Sequence, residues 1–185
     1  MAFIEDGGGK NGLVGVSKNQ RFNTSSRATP REFYSSRDDG LAYTAVYPSM
    51  TLAAGDICAY LKNTSSTRNL FVGNVVVGGV ADGSYKIFKV TGTAASGGAV
   101  TPVPLNLSKS IPAEATAMEG DTSITGLTFG SQLSFLRHPA LSGAGEKFEG
   151  SLILGPGDAI AIEMDAGTGG VHDVEIHFHY EDFDA

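Results

Sequence analysis

The most regular pattern in this chain lies near its C-terminal end. In Val174-Glu175-Ile176-His177-Phe178-His179-Tyr180 the even positions are apolar and the odd ones polar, the period of a strand with one buried face. Asp56-Ile57-Cys58-Ala59-Tyr60-Leu61-Lys62 is apolar through its middle, as a strand covered on both faces would be. Short β-branched and aromatic runs recur from residue 41 onward. They predict strands over 41–47, 56–62, 69–77, 85–91, 99–106, 132–137, 147–154, 159–164 and 172–180. The connections carry strong turn signals: Asn63-Thr64-Ser65-Ser66, Asp82-Gly83, Ser96-Gly97-Gly98, Gly155-Pro156-Gly157-Asp158 and Gly167-Thr168-Gly169-Gly170. No stretch longer than about ten residues keeps a 3.6-residue apolar period; residues 112–118 suit one or two helical turns. The expected fold is all-β, an antiparallel β-sandwich or barrel over residues 41–185, with a jelly roll as the leading form.

Residues 1–40 read differently. They are polar and broken by glycine, serine and threonine, with one short apolar group at Leu13, Val14 and Val16. Phe3, Ile4, Phe22, Phe33 and Tyr34 add further apolar anchors, more than a solvated linker needs. The expectation is an extended N-terminal arm that docks on another surface, preceding the sandwich.

Composition supports a folded protein: 41% of the 185 residues are hydrophobic and 18% charged. Glycine is abundant, with 25 copies; most follow residue 40 and fall where strand runs change direction, while Gly7 to Gly9, Gly12 and Gly15 loosen the arm. A single cysteine excludes an intrachain disulfide framework and a multi-cysteine zinc site. No apolar run approaches the ~20 residues of a membrane span, and residues 1–10 lack the pattern of a signal peptide. A soluble protein made in a cytoplasm is expected.

Net charge is -7, and its excess is local. Residues 141–185 hold ten acids against Lys147 alone, whereas residues 1–40 and 41–140 each hold six basic and five acidic residues. Phosphate backbones and anionic lipid surfaces would repel such a body, so neither nucleic acid nor membrane is an expected partner.

Candidate chemistry concentrates at the C-terminal strand. His177 and His179 share one strand face with Glu175, Glu181 and Asp173, and two imidazoles beside a carboxylate resemble a metal-binding edge. Cupins, a jelly-roll group of metalloenzymes, use a His-x-His pair in this way. His138 and His172 do not complete that motif, however, and the flanking glycine spacing differs. The alternative is a solvent-facing or subunit-facing strand whose polar face contains histidine. Gly-x-Ser-x-Gly is missing, and Gly7-Gly8-Gly9-Lys10 lacks the Ser or Thr and the preceding strand of a phosphate loop. Cys58, inside an apolar run, reads as a small core residue. Asn63-Thr64-Ser65 fits a glycosylation acceptor by formula only. Catalytic residues and cofactors are not expected.

The Glu5-Asp6-Gly7-Gly8-Gly9-Lys10 arm, the run Tyr60-Leu61-Lys62-Asn63-Thr64-Ser65, and the closing pair Leu154-Gly155-Pro156-Gly157-Asp158-Ala159-Ile160-Ala161-Ile162 and 172–181 together resemble small virion structural proteins of tailed bacteriophages. The resemblance implies a capsid decoration, or cement, protein on the capsid exterior. It also implies a homotrimer whose arms lie across the major capsid protein. On that reading Phe3, Ile4, Leu13, Val14 and Val16 are apolar anchors, and Arg21, Arg27, Arg31 and Arg37 meet lattice carboxylates through their planar forks. Two other functions compete: a tail, baseplate or head-fibre component binding a host receptor or glycan, and a cupin-like metal-dependent enzyme centred on Glu175, His177 and His179. The lack of tryptophan counts against glycan stacking.

Overall fold

The computed structural model describes residues 35–109, 111–120, 124–167 and 170–182. The arm residues Phe3, Ile4, Leu13, Val14, Val16, Arg21, Arg27 and Arg31 lie outside these described residues. A short π-helical turn, Ser35–Asp39, precedes two antiparallel sheets. One contains β1 (Ala42–Thr51), β3 (Arg68–Gly79), β6 (Val103–Pro104), β9 (Ser142–Leu154) and β11 (Val171–Asp182), in the order β6-β1-β11-β3-β9. The other contains β2 (Ile57–Asn63), β4 (Gly83–Ala95), β5 (Gly98–Val100), β7 (Ala115–Glu119), β8 (Thr125–His138) and β10 (Ala159–Gly167), in the order β5-β7-β2-β10-β4-β8.

With the short strands β5 to β7 set aside, the pairings nest: β4 pairs with β8, β3 with β9, β2 with β10 and β1 with β11. The chain is one long hairpin whose two arms alternate between the sheets, which is the double Greek key of a jelly roll. The inserted segment between β4 and β8 returns to the far side of the sandwich. There β7 pairs with β2, β5 with β7 and β6 with β1.

The residues between the sheets follow from strand phase. Val174, Ile176, Phe178 and Tyr180 of β11 are buried together with Tyr43, Ala45 and Tyr47 of β1, Val72, Val75 and Val77 of β3, and Ile160, Ile162 and Met164 of β10. Tyr43 stacks on Phe178 with ring centroids 5.5 Å apart, and Tyr180 meets both edge-on. The run 57–61 is buried throughout, as expected of a strand covered on both faces. Ala59 and Leu61 join the main core, while Ile57 and Tyr60 join a second cluster with Val90, Ile124, Ala159 and Ala161. A bulge separates the two phases, since Ile162 faces Ala59 and the next residue, Glu163, faces Ile57.

Three expectations change. The run 99–106 is not one strand: Pro102 and Pro104 cannot supply ladder N–H groups, and the segment splits into β5 and β6, which join different sheets. Residues 112–118 form no helical turn; Ala115–Glu119 is a strand because β2 offers an edge to it, with Tyr60 opposite Met118. Strand β8 also starts earlier than residue 132, at Thr125.

Asn63 closes the β2 to β3 turn from inside. It is fully buried; its Oδ1 accepts from the Ser65 backbone N–H, and its Nδ2 donates to the carbonyls of Arg68 and Leu154, both at 2.9 Å. One side chain therefore ties a turn to the end of β9. Burial also removes Asn63 as a glycan acceptor. Asn63→Ala would leave buried backbone groups without partners and is expected to lower stability by about 3 kcal/mol, measured by urea unfolding.

Candidate functional site

On β11 the odd residues point away from the core, which places Glu175, His177, His179 and Glu181 on the outer face of the first sheet, as the alternation predicts. Neighbouring strands set their partners. Thr44 of β1, opposite His177, donates its hydroxyl to Glu175 Oε1 at 3.0 Å. His177 Nε2–H donates to the same oxygen at 2.8 Å. Asp173 accepts from the Ser49 backbone N–H at 2.7 Å. His179 turns the other way, its Nε2 donating to Glu181 Oε1 at 3.3 Å, and its ring stacks on Phe71 of β3 with centroids 5.3 Å apart.

The two histidines share a face but not a focus. Each commits Nε2 to a different carboxylate, one two residues before it and the other two residues after. Among the described residues, no group of three or more His, Cys, Asp or Glu side chains is placed to hold a metal ion. His177, Glu175 and Thr44 instead form a surface hydrogen-bond chain joining β1 to β11. Arg37, the one residue of the proposed arm set within the described residues, is exposed in the Ser35–Asp39 turn.

Sequence reasoning missed a second polar group inside one end of the sandwich. His138 at the end of β8 and His172 at the start of β11 are both buried, with Tyr85 of β4 between them. The Tyr85 hydroxyl lies 2.7 Å from His172 Nδ1 and 3.4 Å from His138 Nε2. His138 Nδ1 lies 2.9 Å from the Pro139 carbonyl, which can only accept, so Nδ1 carries a proton. Burial pushes the Tyr85 phenol above its ordinary range, which keeps it a neutral hydrogen-bonding link. The group joins the sheets, since Tyr85 and His138 belong to one and His172 to the other.

Two glycines make room for it. A Cβ on Gly83 would sit 3.1 Å from the Tyr85 hydroxyl and 3.2 Å from His138 Nε2; one on Gly79 would sit 2.9 Å from His172 Nδ1. One signal was present in the sequence: His172 falls in the apolar phase of β11, two residues before Val174. Beside His138 opens a cleft of about 730 Å³ lined by Asp82, Gly83, Ser84, Arg137, His138, Pro139, Ala166 and Gly167. Ser84, almost fully buried, reaches Asp165 Oδ2 and the Ala166 carbonyl at 3.4 and 3.3 Å. Asp165 pairs with Lys86.

Cys58 is enclosed in the core. Its thiol donates to the Ile162 carbonyl at 3.1 Å, and burial pushes its pKa up to about 12. It is a core group and not a nucleophile at neutral pH.

Comparison with known proteins returned no matching family model, no matching curated protein and no matching solved structure.

Tyr85→Phe removes the hydroxyl that links two buried imidazoles. The expected cost is about 1–3 kcal/mol, read as a lower urea midpoint with unchanged far-ultraviolet circular dichroism. A second expectation concerns alkaline pH. The Cys58 thiol stays protonated in the folded chain up to about 12, from an ordinary value of 9.0. Its contribution is therefore complete below pH 9 and is lost as pH rises toward 12, because only the unfolded chain gives up the proton in that window. Stability should fall between those limits, and Cys58→Ala should make the fall shallower. Buried Tyr47, Tyr85 and Tyr180, with Tyr43 and Tyr60, are all shifted upward by burial and add to the slope. Unfolding midpoints on either side of pH 9 check both statements.

Proposed function

We propose that this chain is a non-enzymatic virion structural protein, a capsid decoration protein that binds the major capsid protein of a phage head through its N-terminal arm and through contacts between copies. The observation that carries the reading is how the arm's root joins the body. Ser35 is buried and donates its hydroxyl to the Tyr180 carbonyl at 2.8 Å. Leu41 N–H donates to the Ser35 carbonyl at 2.8 Å, and Tyr180 N–H to the Leu41 carbonyl at 3.0 Å. From the other side, Asn106 Nδ2 donates to the carbonyls of Ser36 and Arg37 at 2.9 and 3.3 Å. Where the polar, glycine-rich segment meets the sandwich, it is clamped to β11, which runs between β1 and β3.

A clamp of this kind suits a tether. Force on the arm passes into a strand hydrogen-bonded on both edges, and not into a fraying edge strand. Thirty-four residues before Ser35, with apolar anchors at Phe3, Ile4, Leu13, Val14 and Val16 and arginines at 21, 27 and 31, are long enough to cross a neighbouring subunit and add to its sheet edges. Binding only the expanded lattice would stabilise that lattice by mass action. The acidic body would be repelled by packaged DNA.

The test is binding of purified protein to expanded, undecorated capsids. Paired charge substitutions in the full chain, Phe3→Asp with Ile4→Asp and Leu13→Asp with Val14→Asp, should each weaken binding by at least about 100-fold, the effect of two lost apolar contacts of about 1.5 kcal/mol each. The unfolding midpoint should not move. Unchanged capsid binding by a chain lacking residues 1–34 would reject the arm as the binding element.

A further inference from the structure

We propose that Tyr85, His138 and His172 form an acid-sensitive latch, which closes one end of the sandwich while it holds at most one added proton and releases that end when it takes a second. The inference concerns the body alone and goes beyond the capsid reading, whose failure would leave it standing.

The latch sits where the chain changes sheets. Strand β3 passes to β4, β8 to β9 and β10 to β11 at this end, where Gly79 lies opposite Ser142 and His172, and Gly83 opposite His138 and Gly167. Single backbone bonds tie these crossings to one another. Val80 N–H donates to the Val171 carbonyl at 3.0 Å, and Leu141 N–H to the Gly79 carbonyl at 3.1 Å. The turn after β8 depends on the group directly, because the Pro139 carbonyl accepts from His138 Nδ1–H and, at 2.7 Å, from the Ser142 hydroxyl. Leu141 in that turn has a left-handed backbone (φ 56°), which persists in a leucine only where its neighbours hold it.

Counting hydrogens fixes the neutral state. His138 Nδ1 carries one because the Pro139 carbonyl can only accept, so in the neutral ring Nε2 is an acceptor. The Tyr85 hydroxyl faces that Nε2 and has a single hydrogen to give. It must then accept from His172, so His172 Nδ1 also carries a proton. The hydrogens run one way, from His172 through Tyr85 and His138 to Pro139.

One added proton reverses the middle of this chain without loss. His138 Nε2–H then donates to Tyr85, Tyr85 donates to His172 Nδ1, and each hydrogen on these three atoms keeps an acceptor. A second proton has no such place. Both imidazoles then donate to Tyr85, the phenol hydrogen loses its acceptor, and two cations face each other in a buried site with ring centroids 6.0 Å apart.

The surroundings do not supply a ready counter-charge from the ladders, since the residues opposite the two histidines are Met50, Gly79 and Gly83. Of the charged groups at this end, Asp165 pairs with Lys86, Asp173 accepts from the Ser49 backbone N–H, and Asp82 lines the cleft together with Arg137. That cleft reaches His138 and is the way in for a proton. The folded latch accepts one proton where the unfolded chain accepts two. The excess lies with the unfolded state, so stability falls as pH drops below the ordinary imidazole value of about 6.5.

The test combines nuclear magnetic resonance with urea unfolding of the full chain. At pH 7.5 the wild type should carry protons on Nδ1 of both His138 and His172; a proton on His172 Nε2 in place of Nδ1 would overturn the inference. Between pH 6 and 5 the unfolding constant of the wild type should rise about tenfold more than that of His138→Gln or His172→Gln. In each variant a glutamine amide can bond Tyr85, and one imidazole remains for one proton. Over the same interval the Val80 and Leu141 amides should lose exchange protection in the wild type and keep it in the variants. Equal rises in wild type and variants would sink the proposal, as would wild-type protection at Val80 and Leu141 that survives at pH 5. If one variant fails to fold, the other decides together with the wild-type ring spectrum.

Discussion

The register of β11 is the constraint on which the rest of the molecule depends. Its two neighbours read it at once: Ile176 lies between Ala45 of β1 and Val75 of β3, and His177 between Thr44 and Asn74. A slip of one residue would turn Val174, Ile176, Phe178 and Tyr180 outward and drive two histidines and two glutamates into the core. The polar face then adds to the lock, because the Thr44 and His177 bonds to Glu175 form only in the correct phase. Tyr180 contributes at both levels, packing against Tyr43 and Phe178 while its backbone N–H and carbonyl hold Leu41 and Ser35. Core, outer face and arm root are thus set by one strand.

How much of this could be read from the residues depended on whether a signal was local. The phase of β11, the two-sided burial of β2 and the turn-bounded runs of β3, β4 and β10 are short-range patterns, and they led to an all-β antiparallel sandwich with the jelly roll foremost. The first half of β8 was hidden because Gly126, Gly130 and Ser131 carry little β preference and interrupt the run; those residues are strand because β4 pairs with this stretch. Strand β7 was hidden for the same reason, since Ala115, Thr116 and Ala117 favour no single state and the edge of β2 decides. The candidate site divided in the same way. Glu175, His177 and His179 sharing a face follows from a period of two, but the opposed directions of their hydrogen bonds depend on side-chain torsions and neighbours. Tyr85, His138 and His172 are brought together by three strands far apart in the chain, with only the misplaced polarity of His172 to announce them.

The nested pairing also answers a question raised by charge. Ten acids in the last 45 residues would make a strongly one-signed patch if that segment folded on itself. It does not, because each late strand lies beside an early one. Asp158 and Asp165, at the two ends of β10, meet Lys89 and Lys86 of β4, and Asp182 of β11 meets Arg68 of β3 at 2.9 Å. Each exposed pair adds little stability, but together they set Asp158, Asp165 and Asp182 against basic residues of earlier strands.

That redistribution sharpens what the remaining charge can do. With several acids matched, the net -7 acts as a diffuse repulsion between whole molecules, screened over about 8–10 Å at physiological salt, and not as a local acidic site for a cation or a basic partner. The interleaving that pairs Asp158, Asp165 and Asp182 requires basic residues on β3 and β4, and the β8 strand next to β4 carries neither sign before Arg137. The uncharged strip lies beside the strand that supplies two of the matching lysines, so mixed charge inside the sheet and absence of charge at its edge arise from the same order of strands.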